Sequence, residues 1–137
     1  MSERLQSRLA HRLAFAPVVV ATVLATRGAT PRKPGTRMLV TATATEATIG
    51  GGELEVRVIA AARALLASGG PSAELPITLD GQPGAAGVCG GAMRIALRRW
   101  QGAADQARAA AIAAQLRAGS TVTLDASDLG AEGAGEV

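Results

Sequence analysis

Val18 to Thr26 (VVVATVLAT) holds six β-branched residues and no charge in nine positions. Such a run reads as a fully buried strand. It belongs to a longer apolar stretch, Leu13 to Ala25, preceded by Arg4, Arg8 and Arg12. That arrangement has the outline of a signal peptide. Pro17 interrupts the stretch, however, and it is too short for a spanning helix, which needs about 20 apolar residues. The β-branched content favours a core strand. A buried strand needs a core around it, and 137 residues supply one, since domains peak near about 100–150 residues. A dinucleotide-binding domain plus a separate substrate domain does not fit this length.

The rest of the chain yields short elements around that strand. Ser2 is placed to cap a helix with Leu5, Leu9 and Leu13 on one face. Arg27 to Thr36 is a loop, and Arg37 to Thr43 a second strand. Glu46 to Ile49 reads as a third strand, closed by a turn of Gly50, Gly51 and Gly52. Glu53 to Ser68 is the clearest helix: Leu54, Val58, Ala61, Leu65 and Leu66 form its stripe, and Gly69–Gly70 stop it. Ile77 to Asp80 is a short strand, followed by a glycine-rich loop from Gly81 to Gly91. Ala92 to Arg99 alternates, with Met93, Ile95 and Leu97 on one side and Arg94 and Arg98 on the other, as a half-exposed strand does. Ala103 to Ala118 reads as an alanine-rich helix, Thr121 to Leu124 as one more strand, and the last dozen residues as a frayed acidic tail. The order predicts an α+β fold: one small domain, a mixed β-sheet, and helices packed mainly on one face.

Charge and composition exclude several roles. Residues 1–45 hold seven bases against one acid, while residues 121–137 hold four acids and no base. An Ala- and Gly-rich coding bias accounts for the Arg total but not for this clustering. With a net charge of only +3 and Phe15 and Trp100 as the sole aromatics, no base-stacking surface is expected, and nucleic acid is not an expected partner. One cysteine, Cys89, excludes an intramolecular disulfide framework and fits a reducing compartment, so a cytoplasmic location is expected. His11 and Cys89 are too few for an all-protein zinc cage. No membrane partner is expected.

Three segments are able to carry chemistry. Arg27-Gly28-Ala29-Thr30-Pro31-Arg32-Lys33-Pro34-Gly35, with Arg37 just after, is a loop shaped by two prolines, and it suits either oxyanion capture or mere solvation. Ile49-Gly50-Gly51-Gly52-Glu53-Leu54-Glu55 leads a strand into a helix start. Free N–H groups there form an anion cradle or simply a tight turn. The spacing is neither that of a dinucleotide fingerprint nor that of a P-loop. Glu53 and Glu55 complicate a plain phosphate site and suit the N–H groups of a heterocycle instead. Gly87-Val88-Cys89-Gly90-Gly91 presents either a reachable thiol beside N–H donors or a small buried hydrophobe.

Taken in order, Val20 to Gly52 and Gly87 to Ile95 (GVCGGAMRI) resemble the N-terminal domain of the XdhC/CoxI family. These are maturation factors of xanthine dehydrogenase and related molybdenum hydroxylases, including carbon monoxide dehydrogenase. The family pattern of a strand, T-x-G-S/A-x-P-R-x-x-G-x-x-M-L-V, then G-T-I-G-G-G-C-x-E, then C-G-G is matched by Arg27 to Val40, by Thr48 to Gly52 with Glu55 at the family acid, and by Cys89-Gly90-Gly91. The resemblance spans about residues 13–125. It implies an XdhC/CoxI N-terminal-like domain over 1–125, an acidic, glycine-rich flexible tail over 126–137, and no C-terminal Rossmann domain.

The resemblance also implies a role: binding the molybdenum cofactor in its molybdopterin form, assisting its sulfuration, and helping insert it into a hydroxylase. The implied cofactor-binding set is Arg27, Thr30, Arg32, Lys33, Arg37, Gly50, Gly51, Gly52, Glu53, Glu55, Cys89, Gly90 and Gly91, with Cys89 the candidate for a molybdenum or sulfur contact. The implied partners are the hydroxylase apoprotein, a cysteine desulfurase, a separately encoded Rossmann-domain subunit and a second copy of the chain. Glu53 stands where the family pattern has Cys, which leaves Cys89 as the only thiol. A binding factor without turnover chemistry is therefore the leading expectation. Its rivals are a Cys89 sulfur-carrier enzyme, for which no general base is evident, and an interaction module that has lost the ligand site.

Overall fold

A computed structural model describes residues 1–87 and 90–131. The chain forms α1 (Glu3–Leu13), β1 (Val18–Arg27), β2 (Arg37–Val40), β3 (Thr45–Glu46), α2 (Gly52–Ser68), β4 (Ser72–Thr78), β5 (Ala92–Trp100), α3 (Gly102–Arg117) and α4 (Ala126–Leu129). The Ser2 hydroxyl accepts from the Leu5 N–H at 3.1 Å and starts α1 as its sequence predicts. Gly69 ends α2 in a left-handed conformation.

The strands form one sheet in the order β3-β2-β1-β5-β4. The VVVATVLAT run is its central strand, and Val18 to Leu24 are all buried. Leu24 is an extra residue: β1 pairs Val23 with Ile95 but Ala25 with Arg94, so a bulge re-aims the end of the strand. On one face, Leu54, Val58, Ala62 and Leu65 of α2 pack on Val19, Ala21, Val23, Met38, Val40, Ile95 and Leu97. On the other, Leu9 and Leu13 of α1 and Ile112 of α3 pack on Val18, Val20, Leu39 and Trp100. Each fully buried aliphatic chain contributes about 1.5–3 kcal/mol by leaving water.

The small single α+β domain is as the sequence predicts, with two corrections to its layering. Every strand pairing is antiparallel rather than mixed. Helices also cover both faces rather than mainly one. The cause is β1 itself, whose even and odd positions are equally apolar, so a single layer of helices would leave one set in water.

Smaller differences have local reasons. β3 stops at Glu46, because Ala47 turns to a φ of 66°. β4 begins at Ser72, earlier than Ile77, and fills the place beside β5. Thr121 to Leu124 form no strand. Residues 126–131, expected to begin a frayed tail, instead form α4 and the two residues after it, with Leu129 and Ala131 buried beside Leu24 and Ala96. Asp125 and Asp128 form a reciprocal capping box there. Residues 132–137 lie outside the described residues.

Candidate functional site

At one end of the sheet, β1 and β4 finish while β2 and β5 begin. The basic loop leaves β1 there and is anchored by the Gly35 N–H on the Val23 carbonyl at 2.8 Å. Its Pro31 lies against the triple-glycine turn. A Cβ on Gly50 would stand 2.7 Å from Pro31 Cγ, and the φ of 137° at Gly50 is one that other residues rarely adopt. On its other flank the same loop lies against Gly91, where a Cβ would fall 2.6 Å from the Arg27 carbonyl oxygen and closer still to that of Ala29. Absent side chains thus let the basic loop meet Gly91 backbone to backbone and seat its Pro31 ring against Gly50.

The basic loop is organised by its own polar groups. The Thr30 hydroxyl donates to the Arg32 carbonyl at 3.1 Å, and Arg32 Nη1 donates to the Pro31 carbonyl at 2.9 Å. Arg27, Arg32 and Lys33 are exposed. Among the described residues, none of the three pairs with a carboxylate. α2 begins at Gly52 with no side-chain cap, and nothing stands within 4 Å of where a Cβ on Gly51 or Gly52 would be. The uncapped start of α2 and the positive end of its dipole follow the glycine turn that Pro31 of the basic loop packs against. That arrangement is suited to holding an oxyanion.

Several residues of the expected site are used otherwise. Glu55 reaches back to accept from the Ile49 N–H at 3.2 Å and from the Thr48 hydroxyl, so it closes the turn rather than facing a ligand. Glu53 is exposed and pairs with Arg57 at 3.2 Å. The Gly90 N–H donates to the Leu79 carbonyl and is not free. Arg37 is buried on the sheet face opposite α2, where its Nη1 donates to Gln6 Oε1 at 2.9 Å. Alternation along β2 accounts for this: Met38 and Val40 point toward α2, and Arg37 and Leu39 point away. Val88 and Cys89 lie outside the described residues. His11 is exposed on α1, with its ring edge-on to Phe15 at 5.5 Å.

Arg57 is the residue the sequence reading passed over. It donates to the carbonyls of Gly84 at 2.7 Å and Ala85 at 3.3 Å, tying α2 to the loop before Gly91. Its spacing of four from Glu53 was the available signal. Gln6 was also missed, although it shares a helix face with Leu9 and Leu13.

Fold and surface together define a small α+β domain in which a basic loop and two glycine segments meet at one end of the sheet. Residues 12–78 match the model of the XdhC and CoxI family. The match contains both the basic loop and the triple-glycine turn. A crystal structure of a xanthine dehydrogenase from Bacillus halodurans shares the fold, with a TM-score of 0.73 at 22% identity, over 87% of this chain. This chain spans 36% of the length of that one. No curated protein matches the chain. Among the described residues, no helix is long and apolar enough to cross a membrane.

Proposed function

We propose that this protein is a maturation factor for a molybdenum hydroxylase, and that it binds the molybdenum cofactor by its phosphate. The observation that carries the reading is the contact of the basic loop with both glycine segments, at Pro31–Gly50 and Ala29–Gly91. It brings the loop that carries Arg27, Arg32 and Lys33 against the turn that precedes an uncapped helix start. The residues present fit the phosphate end of such a cofactor: three cations without a carboxylate partner among the described residues, and an uncapped helix start, match a dianion. When bound, the cofactor supplies the molybdenum centre and its exchangeable oxygen or sulfur ligand, and this chain supplies the grip. Arg37 and Glu55 take no part in that grip. Sulfuration with a cysteine desulfurase, and delivery to the apo-hydroxylase, are the steps this binding would serve. Cys89 is the one side chain offered for the sulfur or metal end.

The test is retention. Purified protein mixed with released molybdenum cofactor is expected to carry it through a sizing column. Arg32→Ala is expected to lose most of it while keeping its fold, because Arg32 is exposed and bonds only to its own loop among the described residues. Absence of retention by wild type, or equal retention by Arg32→Ala, would overturn the assignment. The Cys89→Ala variant separates a grip on phosphate, which it should leave intact, from a contact at the metal end.

A further inference from the structure

β4 is an outer strand of the sheet and pairs with β5 alone. The opposite outer strand, β3, has two residues, and its Glu46 is held by Arg8 at 2.8 Å and by Arg12. β4 is longer, and Ser72, Ala73, Glu74, Pro76 and Thr78 along it are exposed. The Arg99 N–H donates to the Pro71 carbonyl at 2.9 Å, and the Leu79 N–H to the Gly91 carbonyl at 2.8 Å. These two rungs fix the alternation between them. Ala73, Leu75 and Ile77 turn their main-chain groups toward β5, and Ser72, Glu74, Pro76 and Thr78 turn theirs outward. The Thr78 carbonyl is taken by the Ala86 N–H at 2.9 Å, so the loop after β4 closes that end. The main-chain groups of Ser72 and Glu74 and the Pro76 carbonyl have no outward partner among the described residues. Such a row is a template for another strand.

The side chains beside this edge say what kind of strand fits. Leu75 and Ile77 point toward α2, and Ala73 shares their side of the sheet. Arg57 of α2 reaches the carbonyls of Gly84 and Ala85 just past β4. The same flank of the helix continues through Ala61, Ala64 and Ser68, with Ala61 half-buried and Ala64 exposed. Small residues there leave room for bulk on an added strand. On the other side of the sheet stands Glu74, its side chain 39% exposed and paired with Arg94 at 2.6 Å, across β5. A second copy of β4 fits poorly. Two-fold pairing centred on Glu74 sets two carboxylates directly opposite each other. Centred on Leu75, it sets Glu74 against Pro76, which has no N–H to give. Centred on Ala73, it sets alanine against alanine and brings no bulk to its middle.

We infer that β4 accepts an extended segment of a partner protein as an added antiparallel strand, with apolar side chains toward α2 and a lysine or arginine opposite Glu74. Main-chain bonds to Ser72 and Glu74 supply the grip, and the alternating side chains supply the selection. The surface runs along the side of the sheet and takes a basic segment, whereas the basic loop at the sheet end repels one.

The probe is the peptide acetyl-Thr-Val-Lys-Val-Lys-Val-Thr-amide, titrated at fixed ionic strength and followed by amide resonances and hydrogen exchange. The Ser72 and Glu74 amides should exchange fast in the free protein at every concentration, and slowly once the peptide saturates. A counterpart with glutamine for lysine should bind about threefold more weakly, the worth of a cross-strand charge pair. Glu74→Gln should remove that difference. Glu74→Pro deletes an outward N–H together with the carboxylate and should weaken binding about tenfold; Pro76 shows that the edge tolerates proline. Glu74→Gln, at an exposed position, carries the test if Glu74→Pro does not fold. No saturable change at Ser72 and Glu74, or undiminished binding by both variants, would overturn the inference. So would slow exchange at these amides in the free protein: lost on dilution, it would assign the edge to a second copy, and kept on dilution, to a cover within the chain.

Discussion

Replacing Gly91 by Ala is the sharpest probe of the loop convergence. The φ of Gly91 lies outside the left-handed region, so an alanine there meets no intrinsic backbone penalty. All of the cost comes from close approach. The new methyl would lie 2.6 Å from the Arg27 carbonyl oxygen and nearer still to that of Ala29, against an ordinary contact of about 3.5 Å or more. Neither neighbour is a flexible side chain tip. Arg27 is held in the β1–β5 ladder opposite Ala92, and the Gly91 carbonyl accepts from the Leu79 N–H at 2.8 Å. Relief therefore requires the basic loop to move away from β5. Overpacking of this kind costs typically about 1–3 kcal/mol, and backbone-on-backbone contact places it at the upper end, about 3 kcal/mol. For a domain of this size that is a drop in Tm of roughly 10–15 °C. Gly51→Ala is the companion variant: it has open space, but its φ of 75° with ψ of −170° lies in a region essentially limited to glycine, so all of its cost, about 1–3 kcal/mol, comes from backbone strain. Urea and thermal unfolding followed by circular dichroism measure both. A Gly91→Ala protein within 1 kcal/mol of wild type, by the linear extrapolation estimate, would refute the packing described here.

Three further outcomes follow from other parts of the structure. Glu46 has a folded pKa below its ordinary 4.5, so its pairing adds stability above about pH 4.5 that is lost as pH falls through the lower folded value. Glu46→Gln should be less stable at pH 7 and flatter in an acid titration, and an unchanged acid limb would contradict the Arg8–Glu46–Arg12 arrangement. Asp128 is buried, accepts from Arg108 at 3.1 and 2.8 Å, and completes the α4 capping box. Asp128→Asn should cost about 2 kcal/mol in denaturant unfolding, within the range for a lost cap and a half-exposed pair. Glu55→Ala frees the Ile49 N–H and the Thr48 hydroxyl and should cost about 1–2 kcal/mol, read as faster hydrogen exchange at Ile49 and Gly50.

Local chemistry written into the chain settled the elements. The β-branched run of Val18 to Thr26 became β1, Ser2 capped α1, Gly69 stopped α2, and the alternation of Met93, Ile95 and Leu97 put them on the α2 face. Arg27, Arg32 and Lys33 were legible as exposed cations because two prolines and two glycines keep their loop out of the core. A signal for α4 was present in Asp125-x-x-Asp128 and went unread.

What a neighbour in space does to a side chain is a different matter. Arg37 reads as the first residue of the second strand and one more cation for the loop's ligand, yet pairing of β2 with β1 turns it beneath α1, beside Thr22 and Gln6. Arg98 reads as the solvent side of β5, yet α3 and α4 close over it, where it pairs with Asp105 at 3.0 Å and lies 4.0 Å from the Trp100 ring. The repeat of a strand divides residues into two sets but does not say which set a helix will cover. That choice is made by long-range packing of α1, α2 and α3 on the sheet, which acts between residues far apart in sequence.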